Sequence, residues 1–166
     1  MFHCNGWCYP WTLAMLHARV ICIRNIRAKE IFELISEHKI THFGGAPIIL
    51  NMLANTPKEE QIKLNHKVYV LTAAAPPPSI IFKKMKQLGF EVMHVYGLTE
   101  TYGHILQCAW NSAWDELNED EKADISSRQG VRYPNTEDVK VMNPENMKTV
   151  PTVSYTHLRA HETNVD

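Results

Sequence analysis

Short apolar runs alternate with amphipathic stretches along this chain. Residues 68–71 and residues 91–96 are apolar runs of strand length, and the first is rich in β-branched side chains. Between them, three apolar residues recur at the i, i+4, i+7 spacing of one helix face: Ile81, Met85 and Leu88. Pro78 suits the first turn of such a helix and Gly89 suits its end. The pattern predicts a βαβ unit with parallel strands and a right-handed crossover.

The rest of the chain continues this alternation. Helices are predicted at residues 11–18, 28–39 and 47–55, strands at 20–24 and 40–43, a surface helix or loop at 113–127, and a strand and turn from Gly130 onward. In the second of these helices one apolar face is formed by Ile31, Leu34, Ile35 and His38. We therefore expect an α/β fold, with a mostly parallel sheet flanked by helices.

Composition limits the classes of function. The chain has 166 residues, which is the length of one domain, and its 45% hydrophobic content is enough for a core. A formal net charge of −1 gives no electrostatic reason to expect binding to nucleic acid or to a membrane surface. No apolar run reaches the roughly 18 residues needed to span a bilayer. The four cysteines are too few and too scattered for a disulfide framework, so we expect a reducing, cytoplasmic location.

Candidate chemistry follows each strand of the predicted βαβ unit. Residues 72–78 are small residues and prolines, and residues 96–100 read Tyr-Gly-Leu-Thr-Glu. Parallel neighbours end at the same sheet edge, where open α/β sheets bind ligands. The first loop suits a flat purine, while Thr99 and Glu100 offer a hydroxyl for phosphate and a carboxylate for Mg²⁺. The two loops together predict a nucleotide site.

The chain also resembles a known family through five stretches in sequence order. They are residues 2–7 (FHCNGW), 41–47 (THFGGAP), 72–78 (TAAAPPP), 96–100 (YGLTE) and 128–131 (RQGV). The family is that of the adenylate-forming acyl-CoA synthetases, or AMP-binding ligases, and the likeness is greatest to those acting on fatty or medium-chain acids. The resemblance covers residues 1–151 and implies part of the large N-terminal domain of such a ligase. It also implies that a carboxylic acid reacts with ATP to form an acyl-adenylate, whose acyl group passes to coenzyme A.

The resemblance implies a role for each matching residue of the nucleotide site. The loop against adenine is formed by Ala73, Ala74, Ala75 and Pro76. Tyr96 would pack on the adenine ring, and Gly97 beside it would also contact the nucleotide. Thr99 would bind the AMP phosphate, and Glu100 would be the Mg²⁺ ligand. Relatives usually carry a glycine near Ala74, so the added methyl group could narrow the adenine slot.

Other matching residues imply which part of the site would bind the acyl group. His3 would lie near the path of the acyl group and the thiol, which makes it a catalytic candidate beside Thr99 and Glu100. The acyl group would also contact Trp7 and a wall of small residues: Gly44, Gly45 and Ala46. Because this covers only half of a pocket, the sequence leaves the acid unidentified.

Several family motifs do not occur in the chain. They are the Gly/Ser/Thr-rich phosphate loop, the ribose-binding Asp and the catalytic Lys of the C-terminal domain. We therefore interpret residues 1–151 as a partial AMP-binding domain, inactive on its own, and residues 152–166 as a non-native tail. Two other hypotheses stay open: a non-catalytic protein with a weak AMP pocket, and a remnant that binds nothing or does not fold alone. A eukaryotic source would make a peroxisomal location possible.

Each site residue also has a simpler interpretation. Thr99 and Glu100 could cap and begin a helix, and Tyr96 could be an ordinary strand aromatic. Trp7 and Trp11, four residues apart, could form a stripe of the core.

Two further alternatives concern the cysteines. A nucleophile pair of His3 and Cys4 is disfavoured if both lie in a strand, because neighbouring strand residues face opposite sides. A zinc site would use His3, Cys4, Cys8 and His17, although their spacing is not that of a finger or ribbon.

Overall fold

A computed structural model describes residues 3–150 of the chain. These residues form two compact units, 3–133 and 134–150. The helices of the first unit are α1 (Cys4–Trp7), α2 (Tyr9–Met15), α3 (Ala28–His38), α4 (Pro47–Ala54), α5 (Ser79–Gln87) and α6 (Glu119–Ser126). Its strands are β1 (His42–Gly44), β2 (Val68–Thr72), β3 (Phe90–Leu98), β4 (Gly103–Gln107) and β5 (Val131–Arg132). Short 3₁₀ turns occur at Lys58–Glu60 and Ser112–Trp114.

The strands form one mixed sheet in the order β1-β2-β3-β4-β5. The pairs β1–β2 and β2–β3 are parallel, whereas β3–β4 and β4–β5 are antiparallel. The α/β class is thus confirmed, with the predicted parallel pairing confined to half of the sheet. The sequence analysis did not predict β4, which creates the antiparallel half.

The predicted βαβ unit is present as β2, α5 and β3. Its strands pair in register from Val68 opposite Phe90 to Thr72 opposite His94. The proline before the helix, Pro78, is its N-cap residue, and Gly89 follows the helix with a positive φ of 93°. That conformation is easily adopted by glycine and allows the chain to reverse into β3.

The turn that we predicted at Gly97 lies further along the chain. β3 continues through Gly97 to Leu98, where it pairs with Gly103 of β4. A β-bulge occurs between Tyr96 and Gly97. A Cβ atom at Gly97 would collide with the Gly103 carbonyl group, so this glycine permits a close backbone approach within a strand instead of a turn.

The core lies between the parallel half of the sheet and three helices, α3, α4 and α5. Its fully or nearly fully buried members are Ile31, Phe32, Ile35, Leu50, Leu53, Val68, Val70, Ile81, Met85 and Phe90. The rings of Phe32 and Phe90 pack with centroids 5.9 Å apart. The predicted face of α3 is largely confirmed, but Phe32, which is completely buried, was missed and packs more deeply than Leu34 or His38.

The strand predicted at residues 20–24 is wrong. Residues 18–23 have no regular secondary structure, and Val20 and Ile23 are 48% and 37% exposed. No strand in the described part of the chain pairs with this segment. An apolar run that has no neighbouring strand cannot form the hydrogen bonds of its backbone N–H and C=O groups as a strand does. Apolar content alone was therefore not enough to predict a strand here.

The surface helix predicted near residue 120 is present as α6. Asn118 and Glu121 form a capping box, in which each side chain accepts a hydrogen bond from the backbone at the other residue. Lys83 of α5 pairs with Asp120 at 2.6 Å, and Lys86 pairs with Glu119 at 3.1 Å. These exposed pairs align α6 on α5, each with a small contribution to stability.

The second unit is a short hairpin-like turn. Met142 and Thr149 form an antiparallel bridge, and the side chain of Asn143 accepts hydrogen bonds from the backbone N–H groups of Glu145 and Asn146. With β5, this agrees with the strand and turn predicted from Gly130 onward. The tail predicted at residues 152–166 lies outside the described residues, as does Phe2. Within the part described, the helices are too short or too polar to span a bilayer.

We expect Phe32→Ala to destabilise the chain by about 3–5 kcal/mol, because it leaves a cavity beside Phe90 that α3 cannot fill. The free energy of unfolding from urea titrations measures the effect. Ile48→Ala, which truncates an exposed side chain of α4, is the matched control and should change stability by less than about 1 kcal/mol. Equal losses in the two variants would contradict the core described above.

Candidate functional site

The turn that joins β3 to β4 carries Thr99 and Glu100, and a third residue, Thr101, closes it. The hydroxyl oxygen of Thr101 accepts a hydrogen bond from the Leu98 N–H at 2.8 Å. The same hydroxyl lies 3.0 Å from the Leu98 carbonyl and 2.8 Å from the Gly103 carbonyl. The side chain of Thr101 therefore replaces missing ladder bonds at the end of the hairpin.

Thr99 and Glu100 are exposed at the tip of this hairpin turn. The Thr99 carbonyl accepts a hydrogen bond from the Tyr102 N–H at 3.0 Å, which fixes the backbone around both side chains. The alternative that they begin a helix is wrong, because the chain returns directly as β4. The sequence analysis missed Thr101, since its role depends on the hairpin that was also missed.

The carboxylate of Glu100 is available for a cation. Within residues 3–150 it has no hydrogen-bond or ion-pair partner, and no three His, Cys, Asp or Glu side chains converge there as a metal cluster. Mg²⁺ in nucleotide sites is typically held by one or two carboxylates together with substrate phosphates and water. A single exposed carboxylate beside a hydroxyl fits that mode of binding, in which the nucleotide supplies other ligands.

The alanine-proline loop leaves the sheet at the end of β2. Because Thr72 pairs with His94, the loop begins at the level of β3 just before Tyr96. Ala73 is half-buried and Ala74, Ala75 and Pro76 are exposed, so their backbone groups can approach a flat ligand. Thr99 lies roughly 10 Å further along β3 than Tyr96, at about 3.3 Å per residue. The two loops share one edge, but the predicted phosphate ligands lie beyond the predicted base ligands along β3.

Ala74 adopts a left-handed backbone conformation, with φ of 84°. A Cβ atom makes this region costly by roughly 1–2 kcal/mol, and glycine occupies it freely. The glycine expected near this position from the family resemblance therefore has a backbone reason in this structure. The methyl group of Ala74 adds strain to the loop as well as bulk beside it.

The N-terminal helices lie against both β1 and the hairpin. The side-chain amide of Asn5 donates a hydrogen bond to the Gly44 carbonyl at 3.2 Å. Trp7 packs on Tyr102 with ring centroids 5.4 Å apart, and Trp11 stacks on the same ring at 6.3 Å. The predicted acyl-side residues Trp7 and Gly44 are thus connected through one short segment to the turn that carries Thr99 and Glu100.

Space for a side chain is limited where this segment meets β1 at Gly44. A Cβ atom at Gly44 would lie 2.9 Å from the Asn5 Oδ1 atom and 3.3 Å from the Tyr9 ring, which is tighter than ordinary packing allows. Gly45 extends the ladder, because its N–H donates to the Leu71 carbonyl at 3.0 Å. Ala46 follows as the N-cap of α4. These contacts give Gly44 a packing role in addition to its predicted place in the acyl wall.

The structure also bears on the alternative interpretations of the N-terminal segment. The core-stripe interpretation is wrong, because Trp7 and Trp11 lie in different helices and Trp11 is 57% exposed. His3 is exposed as the N-cap residue of α1 and Cys4 begins that helix, so neither lies in the strand that we assumed for them. For zinc, the described residues show no cluster of three suitable ligands.

His94 links β3 to the end of α6. Its buried Nδ1 atom lies 2.8 Å from the Ser127 carbonyl and 3.1 Å from the Arg128 carbonyl. Since both partners are acceptors, the ring carries its proton on Nδ1. His94 therefore positions the start of the RQGV stretch, residues 128–131, beside the strand that carries Tyr96. No pattern in the sequence indicates this contact.

A second histidine, His104 of β4, lies among tyrosines. Its Nε2 atom is 3.4 Å from the Tyr9 hydroxyl, and its ring contacts Tyr9 and Tyr133 at centroid distances of 5.9 and 6.3 Å. Burial lowers the pKa of His104 and raises the pKa of both tyrosines. The cluster is therefore neutral near pH 7 and attaches α2 to the antiparallel half of the sheet.

A groove on the helical side of the molecule is separate from these residues. It lies between α4 and α5 and is lined by Pro47, Ile48, Asn51, Asn55, Pro78, Ile80, Ile81 and Lys84. None of the residues predicted for the nucleotide or acyl sites lines it.

Ala74→Gly should raise the free energy of unfolding by about 1 kcal/mol, because it removes the cost of a Cβ atom at positive φ. Ala75→Gly is the matched control. Its φ is not positive, so we expect a loss of about 0.4–1 kcal/mol from greater freedom in the unfolded chain. Urea titrations measure both changes, and destabilisation by Ala74→Gly would refute the strain assigned to this residue.

Stability should fall below pH 6.5, partly through His104. Its pKa is lower in the folded chain than the ordinary value of 6.5, so the unfolded chain binds a proton more readily. Its contribution is complete above pH 6.5 and is lost as pH falls through the folded-state pKa. The urea concentration at the midpoint of unfolding should fall when the pH is lowered from about 7.5 to 5.5. This fall should be smaller in His104→Gln than in the wild type. The exposed ring of His42 provides the control, His42→Gln, and an unchanged drop in His104→Gln would contradict the assignment.

Comparisons with known proteins identify the family of the chain. The AMP-binding enzyme family matches residues 1–155. Acetate/butyrate–CoA ligase AAE7, peroxisomal, of Arabidopsis thaliana is 50% identical over 153 residues, which cover 91% of this chain and 27% of that protein. Acetate–CoA ligase CCL3 of Humulus lupulus is 48% identical over 153 residues, with the same coverage of 91% and 27%. The chain thus spans about a quarter of the length of the curated relatives it matches.

Solved structures show the same fold. An inhibitor-bound N-terminal domain of FACL13 from Mycobacterium tuberculosis is 26% identical, with a TM-score of 0.61 over 70% of this chain and 29% of that one. O-succinylbenzoate coenzyme A synthetase from Bacillus subtilis, in complex with ATP and magnesium ion, has a TM-score of 0.67 over 90% of this chain and 28% of that one; at 14% identity it supports the fold alone. With the family match over almost the whole sequence, these findings show that the chain belongs to the AMP-binding enzyme family.

Proposed function

We propose that this chain is a segment of an acid–thiol ligase that activates a carboxylic acid with ATP and transfers the acyl group to coenzyme A. The observation that carries the proposal is the β3–β4 turn, which presents Thr99 and Glu100 on a backbone fixed by Thr101. This turn stands at the same sheet edge as the alanine-proline loop. Both lie within the part of the chain that matches the AMP-binding enzyme family.

The arrangement along β3 suits a nucleoside phosphate. Adenine would lie against Ala73, Ala74, Ala75 and Pro76, with Tyr96 on its other face. The phosphate would then extend along β3 past Gly97 toward Thr99, over a distance of roughly 10 Å. A base and its α-phosphate are separated by a ribose, which is comparable in size to this spacing.

Catalysis in the whole enzyme would depend on position and charge. The Thr99 hydroxyl would donate a hydrogen bond to the α-phosphate and orient it for in-line attack by the substrate carboxylate, with pyrophosphate as the leaving group. Glu100 would hold Mg²⁺, which when bound neutralises negative charge at the phosphates. His3 would lie near the acyl and thiol path, where Trp7, Gly44, Gly45 and Ala46 form part of the acyl side.

For the acid we propose a short carboxylic acid. Named relatives support this class: the two ligases above act by name on acetate or butyrate, and 2-methylpropanoate–CoA ligase CCL4 of Humulus lupulus is 44% identical over 144 residues. We had expected a fatty or medium-chain acid from the resemblance. Comparing acetate, butyrate and octanoate as substrates of the full-length enzyme distinguishes the two expectations.

We also propose a cellular location for the protein from the names of its relatives. Peroxisomal location is supported by the names of two Arabidopsis thaliana relatives, at 50% and 41% identity. The cytoplasmic location expected from composition stays a prediction. Fluorescence microscopy of the tagged full-length protein separates the two compartments.

We also propose that residues 1–151 alone are inactive. The motifs for the triphosphate, the ribose and the catalytic lysine do not occur in this sequence. Calorimetric titration with AMP and an assay of pyrophosphate release by the purified chain test this point. Binding without release favours a non-catalytic AMP-binding protein, whereas release by the chain alone would contradict the proposal.

In the full-length enzyme, Glu100→Ala should reduce pyrophosphate release by about 100-fold or more, because the metal loses its carboxylate ligand. The thioester step should change less, since the α-phosphate is no longer attacked in that step. It is measured separately, starting from a supplied acyl-adenylate. Thr99→Val should have a smaller effect, of about 10-fold, on pyrophosphate release.

The matched control is Glu116→Ala, which removes an exposed carboxylate outside the site. It should leave pyrophosphate release unchanged. Normal release by Glu100→Ala would overturn the metal assignment, and unchanged kinetics in Thr99→Val would remove the phosphate role of that hydroxyl.

A further inference from the structure

The last residue of β2, Thr72, has a buried hydroxyl group without a partner. Thr72 is 1% exposed, and its Oγ1 atom is the only buried side-chain nitrogen or oxygen that lacks a hydrogen bond in the part of the chain that the structure describes. Burying a hydroxyl unpaired costs free energy, because the bonds that it makes with water in the unfolded chain are not replaced. Such a group is rare in folded proteins and points to a partner that the free chain does not supply.

This hydroxyl group lies between the two parts of the proposed adenine site. Thr72 pairs with His94 in the parallel ladder, so the two side chains are on the same face of the sheet. Tyr96 is two residues beyond His94, before the bulge, and shares that face. The alanine-proline loop begins directly after Thr72, at Ala73. Thr72 therefore stands where the loop proposed to lie against adenine meets the strand that carries Tyr96.

The groups near Thr72 do not supply the missing hydrogen bond. The neutral ring of His94 directs its one N–H at the carbonyl groups of Ser127 and Arg128, so it has no second N–H to donate to Thr72. Further along the loop, residues 76–78 are all prolines, which carry no backbone N–H. Donors are therefore scarce around the Thr72 oxygen, and a partner has to come from outside these groups.

We propose that Thr72 is a further residue of the nucleotide site and that its hydroxyl group forms a hydrogen bond with the bound adenine. The inference rests on the nucleotide site proposed above. Adenine has ring nitrogens that accept hydrogen bonds and an amino group that donates them, and a hydroxyl group can pair with either. Because Thr72 is enclosed in the free chain, a small shift of the alanine-proline loop admits the edge of the base.

The new hydrogen bond would favour the shifted loop. The free chain bears the cost of the unpaired hydroxyl group and the nucleotide complex does not, so the bound arrangement is stabilised by the difference. The same hydroxyl group thus lowers the stability of the free protein and raises its affinity for AMP. A residue that served only packing would not have opposite effects on these two quantities.

The first measurement is the stability of the free chain. Thr72→Val replaces the hydroxyl group with a methyl group of similar size, so the urea concentration at the midpoint of unfolding should rise by about 0.5 M. Thr56→Val is the matched control, because the hydroxyl group of Thr56, also buried, donates to the Met52 carbonyl at 3.0 Å. Its midpoint should fall, since this substitution removes a hydrogen bond that is formed.

The second measurement is the affinity of the full-length enzyme for AMP, from calorimetric titration. Thr72→Val should weaken AMP binding by about tenfold, because the hydrogen bond to the base is lost. Thr72→Ser keeps the hydroxyl group and should bind AMP within about threefold of the wild type. Thr56→Val should bind AMP as the wild type does.

The contrary outcomes separate this inference from the proposed function. A lower urea midpoint for Thr72→Val would show that the hydroxyl group is paired in the free chain and would overturn the proposal. Unchanged AMP affinity in Thr72→Val, or equal weakening in Thr72→Ser, would also overturn it while leaving the nucleotide site in place. If the wild-type enzyme bound no AMP, the nucleotide site itself would be refuted, and this inference with it.

Discussion

The central strand, β3, pairs in opposite senses along its two halves, and the rest of the first unit depends on this arrangement. Residues from Phe90 to His94 pair in parallel with β2, while Val95 to Leu98 pair antiparallel with β4. The bulge at Tyr96 and Gly97 lies close to the change. Because a side chain at Gly97 would collide with the Gly103 backbone, the antiparallel half can form only with glycine at that position. One strand thus supports both loops of the candidate site.

The two halves are stabilised by different kinds of contact. The parallel half is covered by α3, α4 and α5 through an apolar core in which Phe32, Leu50, Leu53, Val68, Met85 and Phe90 are almost entirely buried. The antiparallel half is held instead by polar and aromatic contacts, including those of Thr101, His104 and Tyr102 with their neighbours. Tyr102 is 70% exposed even though two tryptophans pack on it. The candidate phosphate ligands therefore stand on the part of the sheet with less apolar burial.

Periodicity in the sequence was sufficient for the βαβ unit and for helices α3 and α5, whereas α4 was predicted from the proline at its start. Each of the elements predicted from periodicity has an apolar face that matches its own period, and its burial follows from that face. The run at residues 20–24 has similar apolar content, but pairing partners decide whether such a run becomes a strand, and local sequence does not encode them. Strand β4 was missed for the converse reason: Gly103 and His104 weaken its local pattern, and β3 determines its place.

The sequence motifs located the candidate site, but they did not predict the contacts that hold it together. The order of the five stretches gave the family, and the family match supports it. Contacts between distant residues, such as Asn5 with Gly44 or His94 with Ser127, have no signature in the sequence. The residues around each partner do not indicate which distant residue it will contact. Thr101 is similar, since a threonine after a glutamate predicts nothing until the hairpin brings Leu98 and Gly103 to its hydroxyl.

The left-handed conformation of Ala74 has a consequence for how this chain can vary. The residue is exposed, and exposed positions usually accept most substitutions. At a φ of 84°, however, β-branched and bulky residues are excluded by their own backbone geometry, whatever space surrounds them. In a saturation mutagenesis experiment this surface position would therefore show the narrow tolerance of a core residue, with glycine, asparagine and aspartate as the accepted replacements.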